Sequence, residues 1–159
     1  MVCSNFVLCH KEQKKRKNCN NCLKVTTDSL PTVREGGTSY TLKNSNRIQI
    51  LSFHVDNGLI DGNEEIRCDY LLMVPKPLKA FFIELKSGGE GWKKAVAQLE
   101  NTLKLLYPFM TEYTPNLRAV VRRSVPKTNY NELSKRRKAI ITKYPGASLE
   151  VSTRFADEV

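Results

Sequence analysis

Residues 66–86, IRCDYLLMVPKPLKAFFIELK, decide the fold. Two apolar runs, 66–74 and 79–86, are parted by Pro75-Lys76-Pro77, and the second stops at Ser87-Gly88-Gly89. Apolar runs of this length bounded by proline and glycine read as buried strands joined by a turn. Charged residues inside such strands are informative, because burying an ion is unfavourable unless it is paired. Asp69 lies inside the first run, and Glu84 and Lys86 inside the second. Side chains alternate across a strand, so Glu84 and Lys86 share one face and Leu85 packs on the other. A hairpin about the proline turn brings Asp69 alongside Glu84. One face of the sheet then presents two carboxylates and an ammonium.

Upstream, residues 47–55 alternate and run into Asp56-Asn57-Gly58, which predicts a strand and a turn. Downstream the period changes. Trp92, Ala95, Val96, Leu99, Leu103 and Leu106 recur at helical spacing on one face. A fourth strand is expected over 117–125, a basic helix over 131–144 ending at Pro145-Gly146, and a final strand over 149–155. The expected order is β-β-β-α-β-α-β. Strand, helix and strand joined by short linkers imply parallel crossovers, hence an α/β fold with a mixed central β-sheet and flanking helices.

The 159 residues carry 26 Lys and Arg against 16 Asp and Glu, a formal charge of +10. The excess sits at the ends. Six basic residues face two acidic ones in 1–30, ten face ten in 31–116, and ten face four in 117–159. A neutral middle between basic ends suits a polyanion held from its sides. At 40% hydrophobic the chain is too apolar to be wholly disordered, and no run reaches the roughly 18 apolar residues of a membrane span. The apolar run 2–8 precedes its basic cluster, the reverse of a secretory signal. The expectation is a soluble, cytoplasmic protein with no membrane partner.

Two units are expected: a basic, cysteine-containing segment over 1–35 and a main domain over 36–159, with the boundary at Gly36-Gly37. Four of the five cysteines, Cys3, Cys9, Cys19 and Cys22, crowd into the first unit, beside His10. Cys19-Asn20-Asn21-Cys22 is a C-x-x-C pair that, with Cys3 and Cys9 or His10, could hold a structural Zn²⁺. The overall spacing fits no zinc module, and the same residues also read as reduced thiols in a basic arm. Disulfides are disfavoured inside the cell.

Asp69, Glu84 and the Leu85 carbonyl form a set of hard oxygen donors of the kind Mg²⁺ or Mn²⁺ takes. Such an ion polarises a phosphoryl group, and Lys86 beside it can orient or deprotonate water or stabilise developing negative charge. This suits phosphodiester hydrolysis. Glu-x-Lys alone is a weak signal, and Glu12-Gln13-Lys14 is a second copy in a charge run. The signal at Glu84 gains from ending an apolar strand, from the upstream Asp69 and from the helix that follows. His54, at a strand end, reads as structural, and Trp92 reads as core. Ser87-Gly88-Gly89-Glu90-Gly91 lacks the ending of a nucleotide phosphate loop and reads as a flexible lip. Lys93, Lys94, Arg122, Arg123, Lys127, Arg136 and Arg137 are the expected contacts to a nucleic-acid backbone, with Lys135 and Lys138 beside them.

On Cys68-Asp69-Tyr70, Phe82-Ile83-Glu84-Leu85-Lys86 and the helix bearing Ala95, Gln98 and Thr102, residues 40–155 resemble the PD-(D/E)xK nuclease superfamily. The resemblance implies a restriction-endonuclease-like core in which Asp69 and Glu84 bind metal and Lys86 is catalytic. It also implies a site role for Gln98, and activity as a metal-dependent endonuclease in defence, repair or recombination. DNA is expected in preference to RNA, with a homodimer or a larger complex as the working form. Cys68 stands where many members have proline. The acidic residue many members carry on a first helix has Glu35 as its nearest counterpart, although Gly36-Gly37 argues against a helix there. The alternatives are a non-cleaving nucleic-acid-binding or protein-interaction module on the same fold, and an RNA-cleaving toxin-like domain.

Overall fold

The structure, a computed structural model, describes residues 1–15, 22–62, 66–87 and 91–159. The chain forms helix α1 (Phe6–Glu12), then strands β1 (Leu23–Thr26), β2 (Thr32–Glu35), β3 (Thr38–Thr41), β4 (Ile50–His54), β5 (Tyr70–Val74) and β6 (Lys79–Leu85). Helix α2 (Trp92–Leu106), strand β7 (Thr114–Val120), helix α3 (Tyr130–Lys143) and strand β8 (Ser148–Ser152) follow. One mixed sheet runs in the order β1-β4-β5-β6-β7-β8. Its β1, β4, β5 and β6 are antiparallel, and β7 and β8 continue it in parallel with β6. From β4 onward the order is β-β-β-α-β-α-β. The fold is therefore α/β with a mixed central sheet.

The apolar runs are continuous because β5 and β6 are covered on both faces. Leu71, Met73, Ala80 and Phe82 pack with Ala95, Val96, Leu99 and Leu103 of α2 in the larger core. Leu72, Val74, Phe81, Ile83 and Leu85 point the other way, onto Val33 and Tyr40 of the β2–β3 hairpin. Leu85 thus packs opposite to its neighbours, as the alternation requires. Trp92 is core, at the start of α2.

Several boundaries differ from the sequence reading. β5 starts at Tyr70, so Asp69 stands one residue before the strand. Residues 67 and 68 are held by α2 instead: Gln98 Nε2 donates to the Arg67 carbonyl and the Cys68 N–H donates to Thr102 Oγ1. β7 begins three residues early, because Lys79↔Thr114 opens the parallel ladder, and it ends at Val120, where β6 runs out at Leu85. Gly36-Gly37 is the turn of the β2–β3 hairpin. The N-terminal segment joins the main core: Phe6, Cys9, Cys22 and Leu23 are buried in the α2-side cluster, and β1 forms the sheet edge on β4. Among the described residues no helix is long and apolar enough to cross a membrane.

The C-terminal tail is anchored by a buried cation. Arg118 on β7 donates from Nε to Asp157 Oδ2 at 2.8 Å and from Nη2 to Oδ1 at 3.0 Å, while the Tyr40 hydroxyl donates to the same carboxylate. Burial works to raise the Asp157 carboxyl, but the bonds from Arg118 and Tyr40 outweigh it and hold it below the usual range. Asp157→Ala strands a buried guanidinium, at about 3 kcal/mol. A fall in melting temperature of about 5–10 °C is expected at neutral pH. The contribution is present above the ordinary value of 3.8 and is lost as pH falls through the depressed one. Melting curves of wild type and variant should therefore converge in acid.

Candidate active site

The β5–β6 register pairs Tyr70 with Ile83, so the next position along sets Asp69 opposite Glu84. Asp69 Oδ2 accepts the Leu85 N–H at 2.7 Å, which pins the carboxylate to the end of β6. Lys86 Nζ donates to Glu84 Oε1 at 2.6 Å. Glu84 is 1% exposed, and its Oε2 is buried with no hydrogen-bond partner among the described residues. Burial and the charge of Asp69 together push its carboxyl up to about 7 against the pull of Lys86. Burial likewise raises Asp69, opposed by the Leu85 N–H, with Glu35 adding to the rise. The three residues singled out in the sequence therefore meet on the α2 side of the sheet. They form a carboxylate pair with one cation.

The surroundings hold this end of the sheet still. Arg67 is buried, pairs with Asp56 at 2.5 Å, donates to Asn57 Oδ1, and is also bonded to the Gly62 carbonyl. Gln98 lies behind the site on α2. Its amide nitrogen is committed to Arg67, and its Oε1 is buried without a partner among the described residues. Glu35 stands at the end of β2, close enough to add to the Asp69 rise, on a hairpin instead of a helix. Gly36 beside it has φ +50°, and a Cβ there would meet Ser87 Oγ at 2.6 Å. A glycine is needed for the turn to press this close to the motif. The sequence reading named Glu35 but had no signal for this approach. It did not identify Arg67 or Asp56, whose roles rest on a loop contact that leaves no local pattern.

The donor set fits a hard divalent cation. The buried Glu84 Oε2 has no donor among the described residues, which a cation would satisfy, and Asp69 adds a second carboxylate. Leu85 lies between Glu84 and Lys86 and contributes its N–H to Asp69. Among the described residues no three His, Cys, Asp or Glu side chains form a cluster that could hold a metal ion. Any metal set here therefore needs the backbone carbonyl as well as the two acids. For the N-terminal zinc expectation, Cys19 lies outside the described residues. Cys9 and Cys22 are buried in the core, and the His10 ring contacts the Phe109 carbonyl through Nε2 at 3.0 Å. Gly88 to Glu90 of the expected lip also lie outside the described residues.

The expected phosphate contacts divide in two. Arg136 donates to the Lys93 carbonyl and to Glu100, Lys93 pairs with Glu132, and Arg137 donates to the Leu149 carbonyl. Arg136 and Arg137 thus act as struts that seat α3 against α2 and β8. Lys94, Arg122 and Arg123 line one cleft of about 700 Å³ with Trp92 and Pro126, at the N-terminus of α2, with the exposed Lys127 next to Pro126. The Lys86 N–H donates to the carbonyl of Val120, the residue before Val121 of this cleft, at 2.9 Å. His54 is exposed at the end of β4, its ring 5.1 Å from that of Tyr70.

No protein-family model, curated protein or solved structure matches the chain.

Proposed function

We propose that the chain is a divalent-metal-dependent nuclease that hydrolyses phosphodiester bonds, with DNA as its substrate, on a restriction-endonuclease-like core. The observation that carries the reading is the Glu84 carboxylate. It is buried beside a second carboxylate, with one oxygen on Lys86 and the other without a hydrogen-bond partner among the described residues. Burying a carboxylate next to a second, half-buried one is unfavourable for stability alone. A ligand that needs them explains the arrangement.

Asp69, Glu84 and the Leu85 carbonyl would hold Mg²⁺ or Mn²⁺, which supplies positive charge to polarise the phosphoryl group. Lys86, held by Glu84, offers an N–H donor where negative charge develops on the phosphoryl oxygens. The leaving 3′ or 5′ oxygen needs a proton, and an ammonium or a water can give one. The basic cleft at the start of α2 keeps the flanking phosphates in place by charge and by backbone N–H groups.

The test is cleavage of supercoiled DNA and of total RNA with Mg²⁺, Mn²⁺ or EDTA, comparing wild type with Glu84→Ala. Metal-dependent cutting is expected, at least about 100-fold faster in wild type. The preferred substrate separates DNA from RNA. Folded wild type that cuts neither substrate with either metal would sink the proposal in favour of a non-cleaving binding module.

A further inference from the structure

A second cleft lies beyond the carboxyl end of β7, toward the β2–β3 hairpin. It encloses about 470 Å³ between β3 and residues 153–155, within the ~300–1,000 Å³ common for ligand sites. Its floor is the second core cluster, through Tyr40, Val120 and Phe155. Its rim is cationic and hydroxylic: Arg122, Arg154, Thr38 and Ser39. Val121 and Arg122 line both this cleft and the one at the start of α2, so Arg122 is the ridge between them.

The position of the cleft matters as much as its lining. Gly37 forms one wall, and Gly36 beside it presses on Ser87, the residue after Lys86. The two clefts therefore lie on either side of Arg122, just beyond the carboxyl end of β7. The allocation of cations points the same way. Arg67, Arg118 and Arg136 each have a carboxylate partner, and Arg137 is bonded to a carbonyl. Among the described residues no acidic group pairs with Arg122 or Arg154. Arg154, exposed and lining the cleft, contributes its backbone N–H to Ser152 Oγ. An uncompensated guanidinium beside exposed hydroxyls is suited to a phosphate oxygen, which accepts from both.

We infer that this second cleft binds a phosphate of the bound nucleic-acid strand, the strand running from the start of α2 over Arg122 to Arg154, Thr38 and Ser39. The inference rests on the nucleic-acid reading of the site. It adds a contact set that the basic runs of the sequence did not reveal, since Arg154 stands alone in LEVSTRFADEV.

The experiment separates binding from cutting. Fluorescence anisotropy of a short fluorescein-labelled DNA oligonucleotide, single-stranded and duplex, is followed over a salt series in EDTA. Arg154→Ala is expected to weaken binding about 3–10-fold and to reduce the magnitude of the salt slope by about 0.7–0.9, one phosphate contact. Ser39→Glu, on an exposed strand position, places a carboxylate at the cleft mouth and should weaken binding further. Lys104→Ala removes the same charge from an exposed position in the last turn of α2, away from both clefts, and should leave the slope unchanged. Equal slopes for Arg154→Ala, Lys104→Ala and wild type would overturn the inference, as would failure of wild type to bind. A slope that falls in a protein that cuts nothing would keep the cleft and discard the nuclease. Cutting that depends on Glu84, with a slope indifferent to Arg154, would do the reverse.

Discussion

Lys86→Ala lowers metal-dependent phosphodiester cleavage by about 10²–10⁴-fold, the range for losing a positioned proton donor or a charge at the reacting group. The chain should stay folded, because Lys86, half-buried against Glu84, belongs to neither core cluster. Its removal takes away the cation that holds Glu84 ionised, so the carboxyl rises further. The assay is therefore run at about pH 8.5, where Glu84 in the wild type is ionised. Metal affinity, read by the rise in melting temperature on adding Mn²⁺, should fall much less than the rate. The split between rate and affinity is the diagnostic. A rate within about threefold of wild type would remove Lys86 from the chemistry. A variant that lost metal affinity and rate in equal measure would make it a support for Glu84 alone.

Glu84→Gln should stabilise the metal-free protein while destroying its response to metal. In the unfolded chain this carboxyl ionises near 4.5, and in the fold it keeps its proton to about 7. Between those values the folded state binds more protons than the unfolded state, so stability declines as pH rises through the window. Above it the full penalty is present, on the order of 3 kcal/mol. Glutamine has the shape of the protonated acid and carries no such penalty. At pH 8 the variant should melt about 5–10 °C above wild type, and near pH 4.5 the two should coincide. Added Mg²⁺ or Mn²⁺ should raise the melting temperature of wild type at pH 8 and leave that of Glu84→Gln unmoved, since only a state with a bound ligand gains by mass action. A variant less stable than wild type at pH 8 would mean that the Glu84–Lys86 pair is a stabilising ion pair.

Both results depend on a feature of the sequence that is readable without a structure. Two-residue periodicity places Glu84 and Lys86 together and sends Leu85 to the opposite core, and the proline turn sets the hairpin that opposes Asp69 to Glu84. The long apolar periods of residues 79–85 and 92–106 were equally legible, since each element carries its burial pattern in its own residues. The N-terminal elements were not. FVLCHKE in α1 is too short to hold a helix alone, and it exists because Phe6 and Cys9 sink into the α2-side core. LKVT in β1 is four residues held by a ladder with β4.

Period and turn chemistry determined the central strands, the main helices and the carboxylate–ammonium trio, because these depend on residues near one another in the chain. Tertiary structure alone decided which arginines are spent and which remain. Arg118 is neutralised by Asp157 across 39 positions and Arg136 by Glu100 across 36. It alone brought the Gly36 turn against Ser87 and opened two clefts about Arg122. A charge in a sequence has a sign but no partner. The partner is set by packing between distant segments, and that packing separates a structural strut from a cation left to meet a phosphate.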